Sequence, residues 1–325
     1  DWKCFALPIS HQPPNPAIAI MPLLLWNRVL GIIAYDSTDR HRPLDNDERI
    51  MAAKLNRHMV IFTENHYLYS EKIHQERLSK EVEIARQVQT ETLPSTAPAF
   101  QGFDIFGSCN PCHEISGDYY DLVPLSGGRL LVALADVSGK GLPSALFLSK
   151  LQTLVRAMAE HYVSPAQLLK FLSRHMSSEK MGSLFATMIL VVLKEGSSQA
   201  VCASAGHCKP MVIRTKNGFV EEVPFEVGIP LGLFDVPEDG YLDQIIELMP
   251  SDGIMLFSDG VTDLTNAKRE RFGTERIKTT LEKAPTNRAS SVVYHLMNEM
   301  NQFKGKALLE DDVTMVFIKS EPQTP

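Results

Sequence analysis

The sequence lacks a long hydrophobic run and contains little cysteine. Even the apolar segment from Ala17 to Leu25 is interrupted by Pro22, and it falls far short of the roughly 18 residues that a membrane-spanning helix needs. The 5 cysteines are an odd number in a chain of 325 residues, which is long enough to fold without disulfides and therefore favours a reducing compartment. We expect a soluble segment that resides in the cytoplasm.

An excess of basic residues is missing too. The chain has 32 Lys plus Arg against 39 Asp plus Glu, a formal net charge of −7, and a nucleic-acid-binding surface would need clustered basic side chains. The basic residues are scattered apart from the run Lys268-Arg269-Glu270-Arg271, which we interpret as a solvated surface loop. We therefore expect no nucleic-acid partner and no membrane contact in this segment.

The N-terminal part predicts a hairpin followed by a long helix. Two apolar, β-prone stretches, Ala17 to Leu25 and Val29 to Tyr35, are separated by a short polar break. The acidic run Asp45 to Glu48 is typical of a helix start, and no Gly or Pro follows it until Pro94.

Residues 65–93 are thus predicted to form a connector helix. Its apolar positions follow an imperfect 3-4 spacing: Leu68, Ile73, Leu78, Val82, Ala85 and Val88. Two interpretations stay open, a solvated connector packed on one side or a parallel coiled coil that makes the protein a homodimer.

After Pro94 the pattern changes to short strands and two helical blocks. Predicted strands are Leu130–Ala135, Ala186–Leu193, Gln199–Ala203, Ile245–Leu248, Gly253–Phe257 and Val313–Ile318, and predicted helices are Pro143–Glu160 and Ser290–Phe303. Because strands come in runs and do not alternate with helices, we expect an α+β domain built on antiparallel sheets.

Four short segments place aspartate at the ends of predicted strands. They contain Asp118, Asp136, Asp259 and the pair Asp311-Asp312. Any one of them alone is most simply a turn or cap residue, but several converging carboxylates repel one another unless a cation neutralises them. Ligation by oxygen atoms without His suits Mg²⁺ or Mn²⁺ better than zinc.

The same segments carry a family resemblance. The sequences from Glu114 to Asp121 and from Ala135 to Gly141 resemble those of PPM-type metal-dependent Ser/Thr protein phosphatases, in the bacterial stage II sporulation protein E and sigma-regulatory subfamily. Further similar motifs follow in order: Ser204-Ala205-Gly206-His207, Pro230-Leu231-Gly232, Phe257 to Asp263, Phe272-Gly273 and Asp311 to Thr314. The resemblance covers about Glu81 to Lys319. It implies an antiparallel β-sandwich flanked by helices (α/β/β/α) over residues 94–325.

The resemblance also implies roles for individual residues. Asp136 corresponds to a ligand that bridges two Mn²⁺ or Mg²⁺ ions, with the backbone carbonyl of Val137 as a further ligand and Asp118 holding metal-bound water. Asp259 and Asp311 correspond to the remaining carboxylate ligands. Only one of the adjacent Asp311 and Asp312 can face the site from a strand, and the resemblance favours Asp311. The implied reaction is direct attack of a metal-activated water on phosphorus, without a phosphoenzyme.

Other features near these motifs are interpreted as structural. The Gly139-Lys140-Gly141 turn leads into a helix at Pro143 that resembles the family's switch element, and His207 is expected to be structural. The chain has Ser116 where the subfamily often has Gly, and it lacks the basic phosphate-binding residue of some eukaryotic members. Phosphate binding is then expected to depend on the metal ions alone.

Competing interpretations concern the cysteines and the activity. The sequence from Cys109 to His113 matches a haem-attachment pattern, and Cys202, His207 and Cys208 could complete a zinc site. We favour neither, because haem attachment would need an exported protein and because the separation of about 90 residues between the two cysteine groups is unlike a zinc ribbon. A catalytically weak phosphatase-like scaffold is the alternative to an active enzyme.

The first 64 residues resemble the C-terminal part of a GAF sensor domain. The similar sequences are Ala19 to Leu23, Arg28 to Asp36, Pro43 and a helix ending at Asn65. Because the chain starts at Asp1 within a strand-like region, we expect it to be a piece of a longer protein. The resemblance to the sigma-regulatory phosphatases implies a phosphorylated anti-sigma-factor antagonist as substrate. We expect the sensor and the connector helix to form a homodimer and the sensor to regulate the phosphatase, although a degenerate domain that only dimerises is equally compatible.

Overall fold

The fold was analysed in a computed structural model. It describes residues 18–25, 28–36, 45–94, 96–112, 115–176, 184–234 and 240–322. The chain divides into two compact units, Asp1–Glu81 and Val82–Pro325. Among the helices of the described residues, none combines the length and hydrophobicity of a membrane span.

Unit 1 contains the predicted hairpin and the start of a long helix. Strands β1 (Ile18–Leu25) and β2 (Arg28–Asp36) pair antiparallel, while Trp26 and Asn27 of the predicted turn lie outside the described residues. Asn56 donates a hydrogen bond from Nδ2 to the carbonyl of Pro22 at 3.2 Å, which joins the helix to β1.

Helix α1 (Asn46–Thr92) is a single element of 47 residues, about 70 Å long at about 1.5 Å per residue. It begins with a reciprocal capping box, in which the amide of Glu48 donates to Asp45 Oδ1 at 2.9 Å and the amide of Asp45 donates to Glu48 Oε2 at 3.0 Å. The predicted connector 65–93 is therefore the second part of a longer helix. Along this fully described helix only Ala52 is buried, and large apolar side chains such as Ile73 and Leu78 are about half exposed.

Unit 2 contains two antiparallel five-stranded sheets. The first has the order β10-β7-β6-β5-β4, with β4 (Asp118–Leu125), β5 (Arg129–Val137), β6 (Ala186–Lys194), β7 (Gln199–Ala205) and β10 (Gln244–Glu247). The second has the order β3-β12-β11-β8-β9, with β3 (Phe103–Asn110), β8 (Met211–Arg214), β9 (Phe219–Glu222), β11 (Gly253–Phe257) and β12 (Val313–Ser320).

Helices cover the outer face of each sheet. They are α2 (Leu142–Met158) and α3 (Pro165–Met176) on the first sheet, α5 (Gly273–Glu282) and α6 (Ala289–Lys304) on the second, and the short α4 (Asp259–Thr262). Alternate residues of β5 face opposite layers, as the period of two in a strand requires. Leu131 and Ala133 pack under α2 and α3, whereas Leu130 and Val132 face the second sheet. This four-layer α/β/β/α arrangement confirms the predicted α+β fold.

A partly buried ion pair fixes α2 to the edge strand β4. The Arg156 guanidinium donates to both carboxylate oxygens of Asp121, at 2.7 and 3.1 Å, and also to the carbonyl of Thr92 at 2.9 Å. Asp121 is only 2% exposed. The pair therefore fixes the C-terminal part of α2 against β4, and the bond to Thr92 fixes the end of α1 to the same place.

We expect Arg156→Ala to lower the free energy of unfolding by about 2 kcal/mol, because it leaves the buried Asp121 carboxylate without its cation. The second change Asp121→Asn, which removes that charge, should recover part of the loss. Urea unfolding of the unsubstituted protein, of Arg156→Ala and of the double variant Arg156→Ala/Asp121→Asn measures both effects. An Arg156→Ala variant as stable as the unsubstituted protein would contradict this account.

Candidate metal centre

The first two predicted ligands lie opposite each other in the first sheet. Asp118 is the first residue of β4, Asp136 is the next to last of β5, and the antiparallel register pairs them directly. Side chains of such a pair point to the same face of the sheet, where like charges are destabilising.

The second sheet contributes the other two predicted ligands at the end of neighbouring strands. Asp259 follows β11 and begins α4, and Asp311 lies just before β12. Because Phe257 pairs with Met315 across the two strands, both aspartates lie at the same edge of this sheet.

The pKa values indicate that the two sheet edges face each other. The pKa of Asp136 is raised to about 7, first by burial and then by the charges of Asp259, Asp311 and Asp312. Burial and the Asp136 charge raise the pKa of Asp118 well above its usual range, and burial followed by Asp311 raises that of Asp259. Residues from both sheets therefore form one acidic region, and repulsion keeps it partly protonated near neutral pH.

The oxygen atoms of this region fit the chemistry of a hard cation. Oδ2 of Asp118 is buried and has no hydrogen-bond partner among the described residues, a cost that a metal ion or its water would relieve. As the carboxylates stand, however, no three acidic, thiol or imidazole side chains in the described ranges lie close enough to hold an ion. A cation between the carboxylates would remove the repulsion among them.

The structure assigns different positions to the adjacent Asp311 and Asp312. Asp311 is exposed, whereas Asp312 is 7% exposed. Asp312 Oδ1 accepts a hydrogen bond from the amide of Cys112 at 2.7 Å, and its Oδ2 accepts from the amide of Gly117 at 2.6 Å and from Ser116 Oγ at 2.9 Å. The lone pairs of Asp312 are thus used inside the protein, which leaves Asp311 as the candidate ligand.

The backbone of Asp312 also fixes α4. Its carbonyl accepts a hydrogen bond from Ser258 Oγ at 3.3 Å, and Ser258 Oγ in turn accepts from the amide of Thr314 at 3.0 Å. A Cβ atom on Gly260 would lie 1.9 Å from the Asp312 carbonyl oxygen. Only glycine allows α4, and with it Asp259, to approach β12 this closely.

The segment after β5 brings the Val137 carbonyl to the same region. The Val137 amide donates to the carbonyl of Gly117 at 3.0 Å, and a Cβ on Gly117 would lie 3.1 Å from the Val137 oxygen. Gly139 and Gly141 have φ of 87° and 83°, which favour glycine. Pro143 occupies the first turn of α2, as predicted.

Sequence reasoning missed a contact between the end of α1 and this site. Gln89 Nε2 donates to the carbonyl of Ser116 at 2.7 Å, and Gln89 Oε1 accepts from the amide of Ser116 at 2.9 Å. Ser116 Oγ also accepts from the amide of Asp118 at 3.0 Å. The Ser116 position, noted as a departure from the family pattern, is therefore a junction between α1, Asp312 and Asp118.

The cysteines do not assemble the competing metal site among the described residues. Cys202 lies in the core between the sheets, and burial raises the pKa of Cys109 and of Cys208 to about 12, so both are thiols. His207 is buried, which lowers its pKa to about 4, and its Nδ1 lies 2.8 Å from Thr187 Oγ1. A structural role for His207 stays the prediction. His113 lies outside the described residues.

Comparisons with known proteins agree with this geometry. The family model of Stage II sporulation protein E (SpoIIE) matches residues 126–321. Phosphoserine phosphatase RsbU of Bacillus subtilis is 29% identical over 247 residues, covering 75% of this chain and 71% of RsbU. Phosphoserine phosphatase RsbP of the same organism is 25% identical over 190 residues, covering 57% of this chain but 46% of RsbP. The SiaA-PP2C domain of Pseudomonas aeruginosa has a TM-score of 0.64 at 19% identity, covering 76% of this chain and 99% of that domain.

We expect Asp312→Ala to destabilise the metal-free protein by about 2 to 3 kcal/mol, because it leaves two amides and a hydroxyl without their charged acceptor. Asp311→Ala removes an exposed carboxylate from the adjacent position and should change stability by about 0.5 kcal/mol or less. Urea unfolding in EDTA makes the comparison. Equal losses in the two variants would reject the division of roles.

Proposed function

The chain belongs to the stage II sporulation protein E family of PP2C-type phosphatases, and from this premise we propose that it is a metal-dependent serine/threonine protein phosphatase. Its substrate is a phosphoserine or phosphothreonine on a regulatory protein. The observation that carries the proposal is the convergence of Asp118, Asp136, Asp259 and Asp311 on one region, where burial and mutual charge hold the pKa of Asp136 near 7.

PP2C-family phosphatases are metal-dependent, and this chain offers suitable ligands. Asp136, Asp259, Asp311 and the Val137 carbonyl would hold two or more Mn²⁺ or Mg²⁺ ions, and Asp118 would accept a hydrogen bond from a metal-bound water. The ions would supply the Lewis acidity for attack of water on phosphorus.

Three further residues, Asp312, Gln89 and Gly260, support the positions of the ligands. Asp312 and Gln89 hold the turn from Ser116 to Asp118 in position, while Gly260 allows Asp259 to approach β12. Such fixed supports matter because misplacement of a ligand by about 1 Å costs a large fraction of the rate. The retention of all four carboxylates argues against the scaffold alternative.

The partner and the regulation are part of the same proposal. The match to RsbU, by its name a phosphoserine phosphatase, supports a phosphoprotein substrate, which we propose to be a phosphorylated anti-sigma-factor antagonist. The exposed apolar side chains of α1, including Ile73 and Leu78, support a homodimer formed through this helix. We propose that a GAF-like N-terminal domain regulates the phosphatase through α1, whose Gln89 contacts the site.

We expect Asp136→Ala and Asp259→Ala each to abolish Mn²⁺-dependent hydrolysis of p-nitrophenyl phosphate, because each removes a ligand. Glu195→Ala, at an exposed acid beyond the far end of β6, should retain the activity of the unsubstituted enzyme. Retained turnover in either aspartate variant would reject the ligand assignment.

A stability measurement distinguishes ligand loss from misfolding. Asp136 has its folded pKa raised from 3.8 to about 7, so its charge destabilises the fold above pH 7 and this penalty disappears as the pH falls toward 4. In EDTA at pH 8, Asp136→Asn should have a higher melting temperature than the unsubstituted protein. Its melting temperature should rise less on acidification than that of the unsubstituted protein, and it should not change when Mn²⁺ is added. A variant that melts lower would contradict the repulsion.

The register of α1 should matter if it transmits a signal. A two-residue insertion after Glu76 rotates the distal part of the helix by about 200°, whereas a seven-residue insertion restores nearly the same face. We expect the first to change the Mn²⁺ dependence of activity and the second to preserve it. Identical metal titrations for both insertions and the unsubstituted enzyme would refute the coupling.

A further inference from the structure

The basic run Lys268 to Arg271 lies in the loop that follows α4, the short helix that begins with the candidate ligand Asp259. The loop that carries it begins where α4 ends, and α4 begins with Asp259. Asp263 is one helical turn after Asp259, with its amide donating to the Asp259 carbonyl at 2.8 Å. Asp263 Oδ1 in turn accepts from Arg271 Nη1 at 2.9 Å. The far end of the loop is therefore tied to the turn of helix that carries a proposed ligand.

Side-chain contacts hold this loop in one conformation. Asn266 Oδ1 accepts from the amides of Lys268 and Glu270, at 2.9 and 3.1 Å, and Asn266 Nδ2 donates to Glu270 Oε2 at 2.8 Å. Thr265 and Arg271 form an antiparallel bridge across the base of the loop. Arg269 has a φ of 62°, the left-handed region that is unfavourable for an arginine. The hydrogen bonds of Asn266 thus offset the unfavourable backbone conformation of Arg269 and keep the loop in one shape.

The fixed shape leaves two cations exposed. Both acids of the loop are engaged, Asp263 with Arg271 and Glu270 with Asn266. Lys268 and Arg269 are exposed, and neither side chain forms a hydrogen bond or ion pair with another described residue. The loop is therefore a locally positive surface next to an acidic site, on a chain whose formal charge is −7.

We propose that Lys268 and Arg269 form a docking surface for acidic residues that flank the phosphorylated residue of the substrate protein. The inference builds on the proposed phosphatase function and narrows its substrate class to phosphorylated segments with acidic neighbours. An acidic segment is repelled by most of this protein's surface, and two exposed cations beside the site would attract it there. The carboxylate ligands themselves cannot do so, since they bind cations.

The test compares substrates and variants in the presence of Mn²⁺. Substrates are two phosphoserine peptides, one with acidic and one with neutral flanking residues, and p-nitrophenyl phosphate. The test variant is Lys268→Glu/Arg269→Asp, in which Asp tolerates the left-handed backbone better than most residues. The control variant is Lys194→Glu/Lys216→Glu, which reverses the charge of two exposed lysines. Lys194 is the last residue of β6 and Lys216 lies just after β8, both at the strand ends opposite the acidic site.

The unsubstituted enzyme should prefer the acidic peptide in kcat/KM, and the preference should shrink as NaCl is raised. The test variant should raise KM for the acidic peptide by roughly tenfold, with kcat and the turnover of p-nitrophenyl phosphate unchanged. The control variant should keep the preference.

Three results would overturn the inference. They are equal kcat/KM for the two peptides in the unsubstituted enzyme, equal loss in the two double variants, or a loss in the test variant that appears in kcat for every substrate. Absence of Mn²⁺-dependent turnover of all three substrates would instead reject the phosphatase function on which the inference rests.

Discussion

Asp312 carries the contacts that hold the acidic edges of the two sheets in one place. It begins the segment that enters β12 in the second sheet, and its carboxylate accepts hydrogen bonds from Cys112, Ser116 and Gly117, which lie on the crossover from β3 to β4. Its carbonyl accepts from Ser258, directly before Asp259. One buried side chain and its backbone thus link the segments that position Asp118, Asp259 and Asp311.

The fold has to hold these charges together without a metal ion. Burying carboxylates near one another is unfavourable, and this is why burial and neighbouring charges raise the pKa values of Asp118 and Asp136. The opposing term is the apolar core on both faces of the first sheet, where β5 packs against helices on one side and against the second sheet on the other. The repulsion is therefore placed at the strand ends, where it does not interrupt the packed layers.

The α+β class with antiparallel sheets and the acidic region could be predicted from local signals in the sequence, whereas the order of the four layers came from the family resemblance. Runs of alternating apolar residues mark strands, and an aspartate after such a run marks a strand end. The roles of Asp312 and Gln89 had no such signal. Asp312 bonds to Gly117 across 195 positions, and Gln89 bonds to Ser116 across 27, so these contacts exist only once the sheets have packed. Alternation along a strand predicts only that Asp311 and Asp312 face different sides, and it gave no signal for the bonds between Asp312 and the crossover.

The basic run Lys268 to Arg271 is interpreted from the sequence as a solvated surface loop, and its cations are indeed exposed. The sequence pattern does not show that the loop is held to α4, the helix that begins with Asp259. A net charge of −7 describes the whole chain, whereas exposed charges act over a screening length of about 8 Å at physiological salt. Attraction of an anionic substrate is therefore decided by the few charges close to the site. The loop after α4 is tied by the Arg271–Asp263 ion pair to the end of the helix that begins with Asp259, so the fold keeps its two exposed cations on the segment that directly follows a proposed metal ligand. A count of charges over the whole chain cannot show such a placement, because it depends on which helix the basic run follows.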